Sequence, residues 1–300
     1  MSKKIVFFGS GPVAEKSLIF LTKYLNVELV ITKSSPNTKH NKIIDLATKI
    51  NLPVEIINDS QHLINLINRS KLSAKLAILI DYGVIIPQQV IDYFPDGIIN
   101  SHFSILPDLR GPDPITYSIL SGQLETGVSL MKVVEKLDEG PLLAWQTLKL
   151  NYQETAEELT DKLISLSNEL IKKNIINNDW TNFKFFNQTI TKKPISYSHK
   201  LKKIDGQLNF NLSAEVLERQ IRAFSVWPKS FTTIKNIPIT IIKATIINET
   251  GPIGKLFIHN HQLAIYCHKQ ALLIEQLKPA GKNQMTSTDF LNGYKKIITD

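Results

Sequence analysis

A single cysteine, Cys267, is all that 300 residues contain. One thiol can close no internal disulfide and build no zinc–cysteine cluster. That excludes disulfide-stapled secreted scaffolds and fits a reducing compartment. Long hydrophobic runs are missing as well, with no uninterrupted apolar stretch long enough to span a bilayer. The apolar run Ile5–Phe8 is ended by Gly9-Ser10-Gly11-Pro12 too early for a signal peptide, and no small-residue cleavage site follows. A cytoplasmic protein without a membrane partner is the expectation. The histidines, His259 and His261 included, are dispersed and form no ligand set, so no metal is expected. No internal repeat is present, and no serine or cysteine stands out as an activated nucleophile.

What is present is a basic excess with a strong bias along the chain. The formal net charge is +8. From Ile190 to Asp300 there are 16 Lys/Arg against 7 Asp/Glu, a balance of +9; Met1 to Thr189 holds 19 against 20, a balance of −1. Two readings stand: a polyanionic partner for the last third, or a solvated basic surface in a lysine-rich proteome. The length and ordinary apolar content suit one large α/β domain plus a smaller one.

Short β-branched runs alternate with helical segments through the first half. Strands are expected at Ile5–Phe8, Val27–Thr32, Pro53–Ile57, Leu76–Ile80 and Gly97–Ser101, with helices at Val13–Tyr24, Lys42–Ile50, Ser60–Arg69 and Pro87–Tyr93. Such alternation means crossover units: a Rossmann-like, mostly parallel sheet with helices on both faces. Ligands then bind beyond the carboxyl ends of the strands. Further strands are expected at Gly127–Val134 and Leu142–Leu150, then a long helix over Glu154–Ile176. The polar stretch Asn187–Ser198, with Lys192-Lys193-Pro194, reads as a linker. Beyond it, Ser213 caps a helix to about Phe224, five short strands follow, and a helix over Thr288–Lys296 closes the chain. Regularly spaced short strands imply a small C-terminal β-barrel, OB-like. The expected division is 1–186, a linker over 187–208, and 209–300.

Gly9-Ser10-Gly11-Pro12-Val13-Ala14 follows a strand and opens a helix, as in the dinucleotide fingerprint. The second strand ends in Thr32-Lys33, without the acid that holds a nicotinamide ribose, so a tight strand-to-helix turn competes with a cofactor loop. The sharper segment is Asn100-Ser101-His102-Phe103-Ser104-Ile105-Leu106-Pro107, continuing to Arg110-Gly111 and Pro114. Asn100 and His102 are two apart at a strand end, so they share a face. An amide donor beside an imidazole is a plausible oxyanion-stabilising pair. Asp138, in the turn Leu137-Asp138-Glu139-Gly140, could bring a carboxylate to the same pocket. The competing reading makes His102 a core histidine and Asp138 a turn former.

Taken together, Asn-x-His, Ser-x-Leu-Pro, Arg-Gly and Leu-Asp-x-Gly resemble the formyltetrahydrofolate-dependent formyltransferase superfamily. The C-terminal part is similar to that of its methionyl-tRNA-specific members. It does so through Leu217-Glu218-Arg219-Gln220-Ile221-Arg222-Ala223-Phe224, Trp227-Pro228, Leu277-Lys278-Pro279-Ala280-Gly281-Lys282, and Met285 with Asp289-Phe290-Leu291-Asn292-Gly293. The resemblance covers nearly the whole chain. It implies 10-formyltetrahydrofolate as co-substrate, initiator methionyl-tRNA as acceptor, no metal, and a monomer. Asn100, His102 and Asp138 would carry catalysis. Ser104, Ile105, Leu106, Pro107, Tyr82 and Gly83 would meet the folate. Lys33, Lys39, Lys42, Lys200, Lys202, Lys203, Arg222, Lys229, Lys243 and Lys282 are candidates for tRNA. The chain departs from the family in three places. The Thr32–Lys42 loop is short and lacks arginine and glycine. Asp81-Tyr82-Gly83 replaces Ala-Tyr-Gly, and Pro112-Asp113 replaces two small residues. Three rival readings remain: a formyltransferase for a small amine such as an amino sugar, a nicotinamide oxidoreductase, and a non-catalytic tRNA-binding relative.

Overall fold

The structure is a computed structural model that describes residues 3–34 and 41–299. Its first sheet holds β1 (Lys4–Gly9), β2 (Asn26–Thr32), β3 (Val54–Ile56), β4 (Leu76–Ile80), β5 (Gly97–His102), β6 (Glu125–Lys132) and β7 (Leu142–Lys149). They lie in the order β3-β2-β1-β4-β5-β6-β7. Pairing is parallel from β3 to β5 and antiparallel from β5 through β7. In β1, Ile5, Val6, Phe7 and Phe8 are all fully buried. A strand covered on both faces needs no polar alternation, which is why this run is continuously apolar. Val6 and Phe8 join a core with Leu63, Leu66 and Ile67 of α3 (Ser60–Arg69) and with Tyr82. That helix starts where the Asp59 carboxylate accepts from the His62 amide at 2.9 Å, one orphan donor satisfied.

α1 (Gly11–Leu21), α2 (Lys42–Lys49) and α4 (Gln88–Asp92) complete the crossovers expected from the sequence. The strand order reverses at β1 and β4. The crevice beyond their carboxyl ends is therefore the place where this architecture binds ligands. A helix not foreseen, α5 (Pro114–Leu120), follows the Arg110–Asp113 loop; its proline at the first position suits a helix start. The long helix is α6 (Ala156–Ile171), and its expected last turn, Lys172–Ile176, is π-helical.

The C-terminal sheet is antiparallel, in keeping with a small barrel. It holds β8 (Ser230–Ile234), β9 (Ile237–Ile247), β10 (Leu256–His259), β11 (Gln262–Tyr266) and β12 (Ala271–Pro279), with β13 (Met285–Thr286) paired to β12. α7 (Ala214–Ala223) is capped by Ser213, whose hydroxyl accepts from the Val216 amide at 3.4 Å. Leu217 and Ile221, one turn apart, point from α7 into a core with Ile241, Leu263, Leu272, Leu277 and Phe290. Phe290 belongs to α8 (Ser287–Thr299). Each such buried aliphatic side chain contributes ~2 kcal/mol relative to exposure.

Two compact units emerge: Met1–Pro114 with Glu125–Lys149 and Thr160–His199, and Ile115–Leu124 with Leu150–Leu159 and Lys200–Asp300. The first half of the expected linker thus belongs to the first unit. Its Gln188 and Ser198 are buried, and its polar side chains are spent on hydrogen bonds, described next.

Candidate active site

Asn100 and His102 lie on β5 with Ser101 between them. The Ser101 hydroxyl meets that of Ser167 on α6 at 2.7 Å, so Asn100 and His102 face the other way, as the period of two requires. Both are nearly enclosed, 9% and 5% exposed, and Asp138 is 6% exposed. No hydrogen bond ties down the Asn100 amide among the described residues. Nε2 of His102 lies 2.9 Å from the Leu109 carbonyl. A carbonyl only accepts, so Nε2 carries the hydrogen. Nδ1 lies 3.7 Å from Oδ2 of Asp138, inside ion-pair range but too long for a hydrogen bond. The same Oδ2 accepts from the Gly111 amide at 2.8 Å.

Several of these positions need unusual backbone. Asp138 has φ 53°, Leu109 φ 55° and Asp81 φ 50°. A left-handed conformation costs a residue such as leucine about 1–2 kcal/mol, while aspartate adopts it more readily, and hydrogen bonds hold the Leu109 turn in place. The Leu109 amide donates to the Ser196 hydroxyl at 2.8 Å, which in turn donates to the Asp108 carboxylate. Gly111 has φ 109°, and a Cβ there would stand 2.5 Å from the Ser198 carbonyl oxygen; no other residue fits. Arg110, 8% exposed, donates to Gln188 Oε1 through Nε at 3.3 Å and Nη2 at 2.7 Å, and its Nη1 lies 3.3 Å from Glu139. The Gln188 amide nitrogen donates to the Asp138 and Gly140 carbonyls at 2.7 and 2.9 Å. Gln188 was missed by sequence reading, as was Arg110 as a site residue although it lay in a quoted motif.

Most of the side chains expected to meet the folate are buried. Leu106 has no exposed surface and packs with Met131 and Leu142; Ser104 is 1% exposed and Ile105 3%. Pro107 is buried too. The Ser104 carbonyl and the Leu106 amide are both bonded to the Ser129 hydroxyl, at 2.7 and 3.0 Å. Tyr82 points into the core, edge-on to Phe8 at 5.4 Å, and burial pushes its phenol well above its ordinary range. Gly83, with φ 72° and open space around it, remains exposed.

Asp81 is exposed at the end of β4, with neighbouring protein atoms crowding its carboxyl. That crowding, with a smaller contribution from the charge of Asp113, pushes its carboxyl up to about 7. Its Oδ2 lies 3.5 Å from where a Cβ on Gly11 would stand, beside the start of α1. An acidic side chain there, partly ionised at neutral pH, is a poor neighbour for the phosphate that a dinucleotide loop would hold at a helix N-terminus. The Ser10 hydroxyl donates to the Tyr82 carbonyl at 3.0 Å and accepts from the Lys33 amide at 3.3 Å. The Gly9–Ala14 segment is therefore braced as a structural turn.

The nominated cations fall into groups. Arg222 is engaged within the protein, with Glu218 at 2.6 Å and the Glu154 carbonyl at 2.9 Å. Lys243 pairs with Glu275 at 2.8 Å, and that bond raises its pKa. Lys203 donates to the Pro228 carbonyl at 3.0 Å and lies over the Trp227 and Phe231 rings. Lys229 donates to the Ser225 carbonyl. Lys33 donates to the Gly83 carbonyl at 3.5 Å, and Lys42 lies 3.9 Å from Glu15. Lys200, Lys202 and Lys282 are exposed. Lys39 lies outside the described residues. Among the described residues no helix is long and apolar enough to cross a membrane, and no group of three or more His, Cys, Asp or Glu could hold a metal ion.

Comparison with known proteins covers both parts of the chain. A family profile described as formyl transferase matches residues 3–175, and one described as formyl transferase, C-terminal domain, matches 200–295. The methionyl-tRNA formyltransferase of Thermodesulfovibrio yellowstonii is 31% identical over 98% of this chain and 97% of its own. That of Finegoldia magna is 32% identical over 98% and 97%. Among solved structures, a sugar 3N-formyl transferase crystallised with dTDP and 5-N-formyl-THF aligns with a TM-score of 0.69 at 23% identity, over 94% of this chain and all 100% of that one. HypX from Aquifex aeolicus, in complex with tetrahydrofolic acid, aligns with a TM-score of 0.68 at 16% identity, over 99% of this chain and 48% of that one. At those identities the two structures show a shared fold.

Proposed function

Since the chain belongs to the formyl transferase family, we propose that it transfers the formyl group of 10-formyltetrahydrofolate to the α-amino group of methionine on initiator tRNA. The observation that carries the choice of acceptor is the match along both parts of the chain, C-terminal domain included, to relatives named methionyl-tRNA formyltransferase. The folate-bound neighbours of the same fold support a tetrahydrofolate-type donor.

In this reading the methionine amine attacks the formyl carbon, giving a tetrahedral oxyanion. N10 of the folate then leaves and takes up a proton as the amine loses one, so no protein nucleophile is needed. Asn100, with its amide untied, is the direct donor to the oxyanion. His102 could act as an oxyanion donor or as a charge and proton carrier. The bond from Nε2 to the Leu109 carbonyl supports the second role, with Nδ1 turned towards Asp138. Asp138 sustains an imidazolium and helps remove the amine proton, directly or through water. The Lys200–Asp300 segment, with its basic excess, holds the RNA.

A formyl-transfer assay tests this: charged initiator tRNA and free small amines, amino sugars included, are offered with 10-formyltetrahydrofolate. Formylated methionyl-tRNA is the expected product. Turnover on a free amino sugar with none on charged tRNA would replace this acceptor by the small-amine alternative.

A further inference from the structure

The geometry points to Gln188 as a positioning residue for formyl transfer, one that fixes the Asp138 carboxylate beside His102 by tying together the two loops that frame it. The inference rests on the reading of Asn100, His102 and Asp138 as the reacting groups' partners. Gln188 lies in a 3-10 turn over Gln188–Thr191 and is 5% exposed. Its amide has two hydrogens and two lone pairs, and all four are used. Oε1 accepts twice from Arg110, and Nε2 donates to the Asp138 and Gly140 carbonyls.

The result is a closed ring of contacts. Gln188 holds Arg110 on one side and residues 138 and 140 on the other. Glu139, between those two, faces the Arg110 guanidinium at 3.3 Å. Gly111, next after Arg110, donates its amide to the Asp138 carboxylate at 2.8 Å. The ring constrains Asp138 through both its backbone and its side chain, in a left-handed conformation. The 3.7 Å separation from His102 Nδ1 follows from that constraint.

The chemistry singles out glutamine. Glutamate keeps the acceptor for Arg110 but turns a carboxylate towards two carbonyls. Methionine keeps the length and loses every bond. Asparagine keeps both chemistries and is too short by one methylene.

The test uses Gln188→Met, Gln188→Glu and Gln188→Asn in the full-length protein, each checked for folding by near-UV circular dichroism. Turnover is measured with the acceptor that the wild-type protein uses best. Displacement of the carboxylate by about 1 Å should lower kcat by about 100-fold in the Met and Glu variants. KM for the folate should be unchanged, and Asn should retain more turnover than either. The pH profile of kcat should change shape, because Asp138 no longer stands beside His102; loss of a merely structural glutamine would leave that profile as it was. In an Asp138→Ala background, Gln188→Glu should have no further effect on turnover, because the carboxylate it positions is gone. Wild-type kcat in any folded Gln188 variant overturns the proposal. So does a loss that persists undiminished in the Asp138→Ala background. Wild-type turnover in Asp138→Ala itself points elsewhere: it overturns the catalytic reading, and this inference with it.

Discussion

Replacing Asn100, His102 or Asp138 with alanine, one at a time, should lower turnover by roughly 100- to 1,000-fold, the usual cost of removing one group that stabilises a developing oxyanion. The effects should not add when the changes are combined, because the residues act as a unit. Single-turnover assays on folded variants would show this, and a variant with wild-type turnover removes its residue from the mechanism. Asp81 carries a different expectation. Its carboxyl sits at about 7, against an ordinary value of 3.8. Between those values the native state holds a proton that the unfolded chain has released. Stability should therefore fall as pH rises through that window. Asp81→Asn should flatten this fall and raise the denaturant midpoint at pH 8 more than at pH 4; equal shifts at both would reject it. Asn100 and His102 could be picked out in the sequence because a strand puts alternate residues on one face. Gln188 could not. Its partners are 48 to 78 positions away, and its neighbours are the lysines, threonines and prolines of an apparent linker. Tyr82 is a related case: it lies in a motif, and its ring packs in the core beside Phe8.

Elements were recovered wherever the local signal agreed with the packing. Ser213 is an example, since a serine before the apolar pair Leu217 and Ile221 marks a helix start and its hydroxyl caps α7. Ser213→Ala should cost about 1 kcal/mol of unfolding free energy, read from chemical denaturation, with KM for the folate unchanged; no loss would mean that water replaces the cap. The helix α5 was hidden by Arg110-Gly111-Pro112-Asp113-Pro114, where two prolines and a glycine signal loop so strongly that the seven residues from Pro114 were absorbed into it. β13 is two residues long and exists through its pairing with β12, so no periodicity could reveal it. The 187–199 segment shows the same limit from the other side. It is polar because its side chains bond to the loop from Asp108 to Asp113 and to residues 138 and 140. Composition does not separate a polar brace from a polar spacer.

At the scale of the whole molecule, the governing feature is the charge balance: +9 from Ile190 onwards and −1 before it. A surface that neutralises RNA phosphates releases counterions, so affinity for charged tRNA should fall steeply and linearly on a log–log plot against salt. The nominated cations should not contribute equally. Arg222 is held by Glu218 and the Glu154 carbonyl, and Lys243 by Glu275; recruiting either means breaking a bond already made. Lys200, Lys202 and Lys282 are exposed and make no ion pair among the described residues. Replacing these three with alanine should weaken tRNA binding and reduce the salt slope by roughly one unit for each lysine that meets a phosphate. Lys243→Ala should change the slope less. None of the four should alter KM for the folate, because all lie in the Lys200–Asp300 segment while Asn100, His102 and Asp138 belong to the other unit. Equilibrium titration of the full-length variants at several salt concentrations distinguishes the cases. A slope unmoved by the triple change would locate the RNA contacts on other residues. An affinity indifferent to salt would make the basic excess a matter of composition alone, and the small-amine reading would then have to account for a C-terminal domain with nothing to hold.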